Sequence, residues 1–484
     1  MKGGCLLLAY CLGWIYNPQK VNGFLIRHTN NINGRLEMVG EAILAEAIAN
    51  SKHGLFSPTD NASNDPVERE EDKKKNNVLV WNGSGSGVSD GSSVLYGEAD
   101  RYYVHGMQLD ENGQARAAAA AYLEAATLYQ CCLDFDPSSS QNPFGHVTSS
   151  TEIQSLLASV ALRLAHVNQD ALGDPKSATR LYKDVCYKMK FPSDTALDGM
   201  GTSLEASGKN EEALDAYQSA LKLNPKNHRV KFHLAVLLER LSSSIPEYEE
   251  ESTKLMEELR RSEAVYACLV DSWGYVRWHT RRQPDANLYR GTKQMLQVGI
   301  QAALPLISSG LVCEFGVAQG RSLRLIQELC PLQTPIYGFD TFTGLPMAWG
   351  TALPAGAFST NGVLPSLGGG SSDSSSNDSE DVQFHKGLFQ DSIPQFLSSC
   401  PDKPLAFANI DCFLYSSTLD ILEAMHGRIV PGTVFCFDDY MCHPSWRQDE
   451  FRAWRECCKR FGWQYEYLAF SFATRQTVVR VTSA

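Results

Sequence analysis

Apolar and polar positions follow two different rhythms along the chain. Between residues 94 and 262, apolar and small residues recur at helical spacing, and the pattern repeats with a period of about 34 residues. The clearest copy, residues 194–227, carries Leu197, Gly201, Leu204, Gly208, Ala213, Tyr217, Ala220 and Pro225. Small residues at Gly201, Ala213 and Ala220 predict two antiparallel helices in close approach, with Tyr217 filling the gap between them and Pro225 closing the second. An earlier copy fits Gly106, Gly113, Ala118, Tyr122 and Ala125, and a degenerate middle copy fits Gly173, Ala178 and Tyr182. Residues 228–262 predict one or two more helices, with Leu234, Val236, Leu237, Leu238 and Leu241 on an apolar face. A unit of this kind cannot bury its own core, so about three copies with a capping helix form the smallest plausible array.

After Arg282 the rhythm changes. An amphipathic helix, TKQMLQVGIQAALPLI, leads into an apolar strand, LVCEFGV. IYGFDTF, SIPQFLSSC, LAFANID, STLDILEAMHGRI, TVFCFDDY and EFRAWRECCKRF then alternate strand and helix, which predicts a largely parallel, doubly wound sheet. WQYEYLAF and TVVRV predict a closing strand pair. Residues 351–381, rich in Gly, Ser and Asn, read as a disordered surface insertion, and residues 50–93 as a polar linker. The expected organisation is a possible targeting segment at 1–24, a low-order region and linker at 25–93, tetratricopeptide-like helical repeats at 94–262 and an α/β domain at 263–484.

Composition adds bounds. The 484 residues are too many for one core. The net charge of -12 and pI near 5.5 argue against nucleic acid as a partner, which needs clustered Lys and Arg. The fourteen cysteines are scattered, with no metal-ligand spacing among them, and read as reduced and structural. The apolar stretch 5–16 after Lys2 fits either a targeting peptide or a leader, and it is too short to span a membrane. The compartment therefore stays open between the cytoplasm and, if the segment targets, a secretory or organellar destination.

The candidate chemistry lies at the ends of the predicted strands. Glu314-Phe-Gly316-Val-Ala-Gln-Gly320-Arg-Ser322 follows a strand and opens a helix, where glycines let backbone approach a ligand and the helix N-terminus favours negative charge. The dinucleotide and P-loop fingerprints are absent, which argues against NAD and against a P-loop NTPase. Asp340 ends the next strand, where a carboxylate accepts hydrogen bonds from ribose hydroxyls or caps a turn. Asp411, Asp438 and Asp439 end two further strands. Carboxylates converging there repel one another unless a cation such as Mg²⁺ holds them; the competing role is N-capping of the following helices.

Taken in order, CEFGVAQGRSL, YGFDTFTGLP, HKGLFQDSIPQFL, ANIDCFLYSST and PGTVFCFDDY resemble the macrocin O-methyltransferase family, over about residues 273–484. The resemblance implies a class I, Rossmann-like α/β methyltransferase domain behind the tetratricopeptide-like array, with S-adenosyl-L-methionine as cofactor. It implies that Glu314, Gly316, Gly320 and Ser322 hold the methionine end, that Asp340 binds the ribose, and that Gln390 and Asp391 lie near the adenine. It further implies Mg²⁺, or another hard divalent cation, on Asp411, Asp438 and Asp439, with Asp411 as general base. His443 is a candidate second base or substrate contact, and Trp446 and Arg447 are substrate-side candidates. The family usually reads IDxDLY, and here Phe413 replaces the second acid.

The leading expectation is an O-methyltransferase acting on a small molecule or sugar, with the repeats binding a protein partner and no stable membrane span. A second is an interaction scaffold whose methyltransferase domain is catalytically degenerate, the reading that Phe413 favours. A third has the repeats grip a peptide that is itself methylated. Nothing in the sequence selects the acceptor.

Overall fold

The computed structural model describes residues 91–134, 150–280, 287–367, 381–400 and 402–484. The expected targeting segment 1–24, the low-order region as far as residue 90, and residues 368–380 of the insertion lie outside the described residues.

The first half is helical: α1 (Gly91–Glu111), α2 (Ala115–Asp134), α3 (Ser150–Asp170), α4 (Pro175–Lys183) with a π turn after it, α5 (Asp194–Ala206), α6 (Asn210–Leu223), α7 (His228–Leu241) and α8 (Glu247–Arg260). Adjacent helices are locked by a glycine on one facing a tyrosine ring on the other. A Cβ at Gly106 would stand 2.7 Å from the Tyr122 ring, one at Gly199 2.5 Å from Tyr182 and one at Gly201 2.3 Å from Tyr217. No side chain fits at those distances, so these helices touch only because the glycines have none. The repeat tyrosines Tyr122, Tyr182 and Tyr217 are fully buried as the sequence pattern predicts, but the partner of Tyr182 is Gly199 of the next repeat; Gly173 is instead a turn residue with φ +68°. Gly201→Ala is expected to cost about 1–3 kcal/mol through overpacking. Gly97→Ala, in α1 with nothing within 4 Å of the added methyl, is expected to be neutral or slightly stabilising. Thermal melts of the two variants check the pair.

A bridging helix, α9 (Ala264–Thr280), joins the array to the second half. Trp273 Nε1 donates to Glu239 of α7, while Ser272 Oγ accepts the Cys442 N–H at 3.0 Å. One apolar core runs through the junction: Phe232, Val236 and Leu259 pack with Trp273, Phe437 and Phe472, and the Phe232 and Phe472 rings lie 5.2 Å apart.

The second half contains α10 (Thr292–Ile307), β1 (Leu311–Phe315), α11 (Arg321–Leu329), β2 (Ile336–Asp340), β3 (Val382–Lys386), α12 (Phe389–Ser399), β4 (Leu405–Ile410), α13 (Tyr415–Met425), β5 (Val434–Phe437), α14 (Glu450–Phe461), β6 (Gln464–Phe470) and β7 (Thr477–Ser483). The sheet order is β3-β2-β1-β4-β5-β7-β6, with β7 running opposite to the other six strands. Strands β1, β4 and β5 are buried throughout, the expected consequence of helices on both faces. Helix α10 and the closing pair β6–β7 fall where the pattern predicts them. Strand β3 is an addition: the short VQFHK segment follows the polar insertion and carries too little apolar signal to stand out.

The insertion itself departs from expectation. Residues 351–367 were expected to be disordered together with the rest of 351–381, yet they form an ordered loop over the glycine turn. Trp349, Leu353 and Leu414 make a small apolar cluster, against which Leu345, Ala357, Phe358 and Phe413 pack. Arg324 donates to the Ser366 carbonyl at 2.6 Å and Trp349 Nε1 to Asp449 at 3.0 Å. The aromatic and aliphatic residues that pin this stretch were outweighed by the Gly/Ser/Asn composition of the segment as a whole.

Among the described residues no helix is long and apolar enough to cross a membrane. The described cysteines are free and mostly buried.

Candidate active site

The strand order sets the site. Asp340 ends β2, and Gly316, Asp411 and Asp438 follow the C-terminal ends of β1, β4 and β5, so the four lie on neighbouring strands of the sheet. Backbone bonds continue the sheet past those ends: Gly316 N–H donates to Phe339 O at 2.9 Å, Asp411 N–H to Phe315 O at 2.8 Å and Asp438 N–H to Ile410 O at 2.9 Å. Such ends form the ligand crevice of an open α/β sheet.

At the glycine turn, Gly316 has φ +94°, and a Cβ there would lie 1.8 Å from the Asp411 carbonyl oxygen. Gly320, with φ +75°, precedes α11, and Pro365 and Leu367 of the ordered loop lie over it. Asp340 braces the turn. Its Oδ2 accepts the Val317 and Ala318 N–H groups at 2.7 and 2.8 Å, and its Oδ1 accepts the Phe342 N–H at 2.6 Å. An ionised carboxylate has about four acceptor positions, so room remains for a ligand hydroxyl. Glu314 is fully buried and accepts from Asn409 Nδ2 at 2.9 Å. Burial pushes its carboxyl up to about 8, against the opposing pull of Ser322 and Asn409.

Asp411, Asp438 and Asp439 offer carboxylate oxygens that all lie within 4.8 Å of one another. Burial, followed by the neighbouring Asp438 and Asp439, drives Asp411 well above the usual carboxylate range. Burial and Asp439 likewise raise Asp438, although Arg475 and Gln476 work against the rise. Asp439 is fully buried, and Arg475 Nη1 approaches its Oδ1 at 3.0 Å. Gln476 Nε2 donates to Asp438 at 2.6 Å. A further buried acid, Glu450 at the start of α14, accepts the Asp439 N–H at 3.1 Å, and burial raises it strongly.

A cleft of about 2470 Å³ opens above these groups. Gly316, Ser322, Asp340, Gln390, Asp411 and Asp438 line it; Glu314 and Asp439 sit just beneath, and Asp391 does not reach it. His443, a candidate second base or substrate contact, is 4% exposed and does not line the cleft. Its Nε2 meets the Asp439 carbonyl at 2.9 Å, its Nδ1 meets Ser445 at 3.3 Å, and burial lowers its pKa, so it is a neutral brace for the Asp439 backbone. Trp446 and Arg447 do not line this cleft either. Both bind Asp271 of α9, Arg447 through two bonds of 2.8 and 2.9 Å. Phe413 (φ +60°) stacks on Phe358 with ring centres 5.3 Å apart and packs 5.1 Å from Trp349.

Several members of the site carried no readable signal. Asn409 is a polar residue inside an apolar strand, and Glu450 looks like an ordinary acid in a first helical turn. Arg475 and Gln476 lie in the turn between β6 and β7, where polar residues are unremarkable in a sequence; only the fold brings them to the acids.

A family model described as Macrocin-O-methyltransferase (TylF) matches residues 309–461, and one described as Tetratricopeptide repeat matches residues 199–249. Among solved structures, the calicheamicin methyltransferase CalS11 is similar at 21% identity, covering 49% of this chain and 93% of its own, with a TM-score of 0.29. The O-methyltransferase NovP is similar at 21% identity, covering 40% of this chain and 81% of its own, with a TM-score of 0.29. TomG from Streptomyces achromogenes is similar at 14% identity, covering 46% of this chain and 92% of its own, with a TM-score of 0.25. No curated protein matches the chain. Residues 309–461 match the macrocin-O-methyltransferase family model, behind a region that matches the tetratricopeptide repeat.

Proposed function

We propose that the protein transfers the methyl group of S-adenosyl-L-methionine to an acceptor hydroxyl, with Mg²⁺ or another hard divalent cation at Asp411, Asp438 and Asp439. The convergence of those three carboxylates beside the glycine turn carries this reading. The donor set fits such a cation: it is all oxygen, it is crowded with like charge, and Asp439 Oδ2 lacks a hydrogen-bond partner among the described residues, while Oδ1 pairs with Arg475. When bound, the cation supplies positive charge to offset the acids and polarise an acceptor oxygen, and the cofactor supplies an electrophilic methyl on sulfur.

The chain's own residues do the rest. Gly316, Gly320, Ser322 and Glu314 form the turn for the methionine end, Asp340 takes the ribose hydroxyls, and Gln390 borders the adenine space. Asp411, at the cleft end of β4, would accept the proton that the acceptor hydroxyl gives up. Phe413 weighs less against catalysis than the sequence suggests, because its ring belongs to the aromatic cluster with Trp349 and Phe358 and the three acids converge without it. Calorimetric titration with S-adenosyl-L-methionine, with and without Mg²⁺, tests the reading; no cofactor binding under either condition rejects it in favour of a scaffold.

The acids also give a pH signature. Glu314, ordinarily near 4.5, sits at about 8 in the fold, and Asp411 and Asp438 are raised in the same direction. The folded state therefore binds more protons than the unfolded one across this range. The contribution of these three acids to stability without metal is highest at low pH and falls as pH rises towards about 8. A divalent cation competes with those protons, so its stabilisation should be larger at about pH 8 than at about pH 6. Thermal melts at the two pH values, with and without Mg²⁺, check this; equal Mg²⁺ shifts would argue against these carboxylates as ligands.

A further inference from the structure

A second groove lies between α9 and α14 and shares no lining residue with the active-site cleft. It holds about 1300 Å³. Half-buried Tyr275 and Phe451 and buried Trp463 line it, and Trp278 stands there 68% exposed. A Cβ at Gly274 would meet nothing within 4 Å, so the groove is open along α9.

The groove is basic in a chain of net charge -12. Its two acids are already engaged: Asp271 takes Arg447 through bonds of 2.8 and 2.9 Å, and Glu456 takes Arg452 at 2.8 Å. Three more cations line it. Arg455 donates to the neutral Tyr465 hydroxyl at 2.9 Å, and Arg260 and Lys459 have no side-chain partner among the described residues. Arginine beside an exposed tryptophan is the composition of a protein interface, and the surplus positive charge asks for an acidic partner.

The chain carries a matching acidic ridge on α8. Residues 247–258 hold six Glu and one Lys. Glu257 and Glu258 pair with Arg261 and Lys231, whereas Glu247, Glu249, Glu250 and Glu251 are exposed and pair with no cation among the described residues. Ile245, 39% exposed, stands just ahead of them. The helix dipole favours acids in a first turn, but Glu247 and Glu251, four residues apart, repel each other, and cations from a second molecule relieve that repulsion. Ridge and groove adjoin: α8 ends at Arg260, which lines the groove, about 15 Å along the helix axis from Glu250. A two-fold axis between adjoining patches of opposite sign sets each against its opposite on the other copy, twice per dimer.

We infer that two copies of the chain associate about such an axis, the acidic ridge 247–251 and Ile245 of each seated in the α9–α14 groove of the other, against Trp278, Arg260, Arg455 and Lys459. Neither patch lines the active-site cleft, and the inference is independent of the methyl-transfer reading.

Sedimentation equilibrium of the full chain tests it. A dimer is expected at roughly 50 mM salt, with a dissociation constant about tenfold weaker at roughly 500 mM, where screening is stronger. Arg260→Glu with Lys459→Glu in one variant, and Glu249→Lys with Glu250→Lys in another, should each weaken the dimer by about tenfold or more. All four side chains are exposed, so both variants should melt with the wild type. An equimolar mixture of the two variants should regain association, because one then presents acids at both patches and the other cations at both. A chain that stays monomeric at low salt, a species larger than a dimer, a dimer indifferent to both variants, or a mixture that fails to associate overturns the inference.

Discussion

Gly316→Ala is expected to destabilise the C-terminal half by about 2–5 kcal/mol and to abolish cofactor binding. Two penalties combine. The residue sits at φ +94°, a conformation that side-chain-bearing residues adopt only at a cost of about 1–2 kcal/mol. The new methyl would also stand 1.8 Å from the Asp411 carbonyl oxygen and 2.7 Å from its carbonyl carbon. That neighbour is backbone, fixed by the Asp411 N–H bond to Phe315, so it cannot swing aside as a side chain would. Either β1 and β4 separate at their ends or the turn abandons its path. Both outcomes displace Asp411 from Asp438 and Asp439. For a domain of this size the loss corresponds to a melting temperature lower by about 5–15 °C. Gly427→Ala, with nothing within 4 Å of the added methyl, is the matched control and should melt with the wild type. A Gly316→Ala protein with wild-type melting and cofactor affinity would show that the turn is not needed in this form.

The close contact at Gly316 illustrates what the sequence could and could not disclose. A glycine after an apolar strand announces a turn, and Asp411 after another announces a strand end. That the two strands are neighbours, touching at those two residues, follows from sheet order, which one sequence does not state. The same limit applies to the array. Gly201 and Tyr217 share a repeat and were readable as partners, whereas Tyr182 packs on Gly199, a residue of the next repeat. The path of the loop decided which side chains stay off the cleft. His443 and Arg447 are polar residues near the acids in sequence, but the loop after β5 turns them towards the Asp439 backbone and towards α9. The ordered loop was hidden for a compositional reason: a few aromatic anchors, Trp349, Phe358 and Phe413, outweigh many small polar residues once they can meet. What remained legible throughout was the parallel core, because strands covered on both faces must be apolar along their whole length.

Asp411→Asn should separate catalysis from folding in a single variant. Methyl transfer is expected to fall on the order of 10³-fold, the range lost when a positioned proton acceptor is removed. Stability without metal should move the opposite way and rise. Asp411 is held well above the usual carboxylate range by burial first and then by Asp438, Asp439, Glu314 and Glu450, so its ionised form is unfavourable in the fold. At neutral pH that cost opposes folding, and the isosteric, uncharged Asn removes it while also relieving Asp438. The Mg²⁺-induced rise in melting temperature should shrink sharply, because one of three carboxylates is gone. Cofactor affinity should change little, since Asp411 meets Gly316 through its backbone, which Asn keeps, and Asp340 lies two strands away. A purely structural Asp411 would give the reverse pattern, with a lower melting temperature and activity reduced only in proportion to the folded fraction. Activity near wild type would reject Asp411 as the base. A higher melting temperature without metal, a lost Mg²⁺ response and absent turnover in one variant would leave the buried acids with a single economical explanation: they are kept together, against their mutual repulsion, for the chemistry at the end of β4.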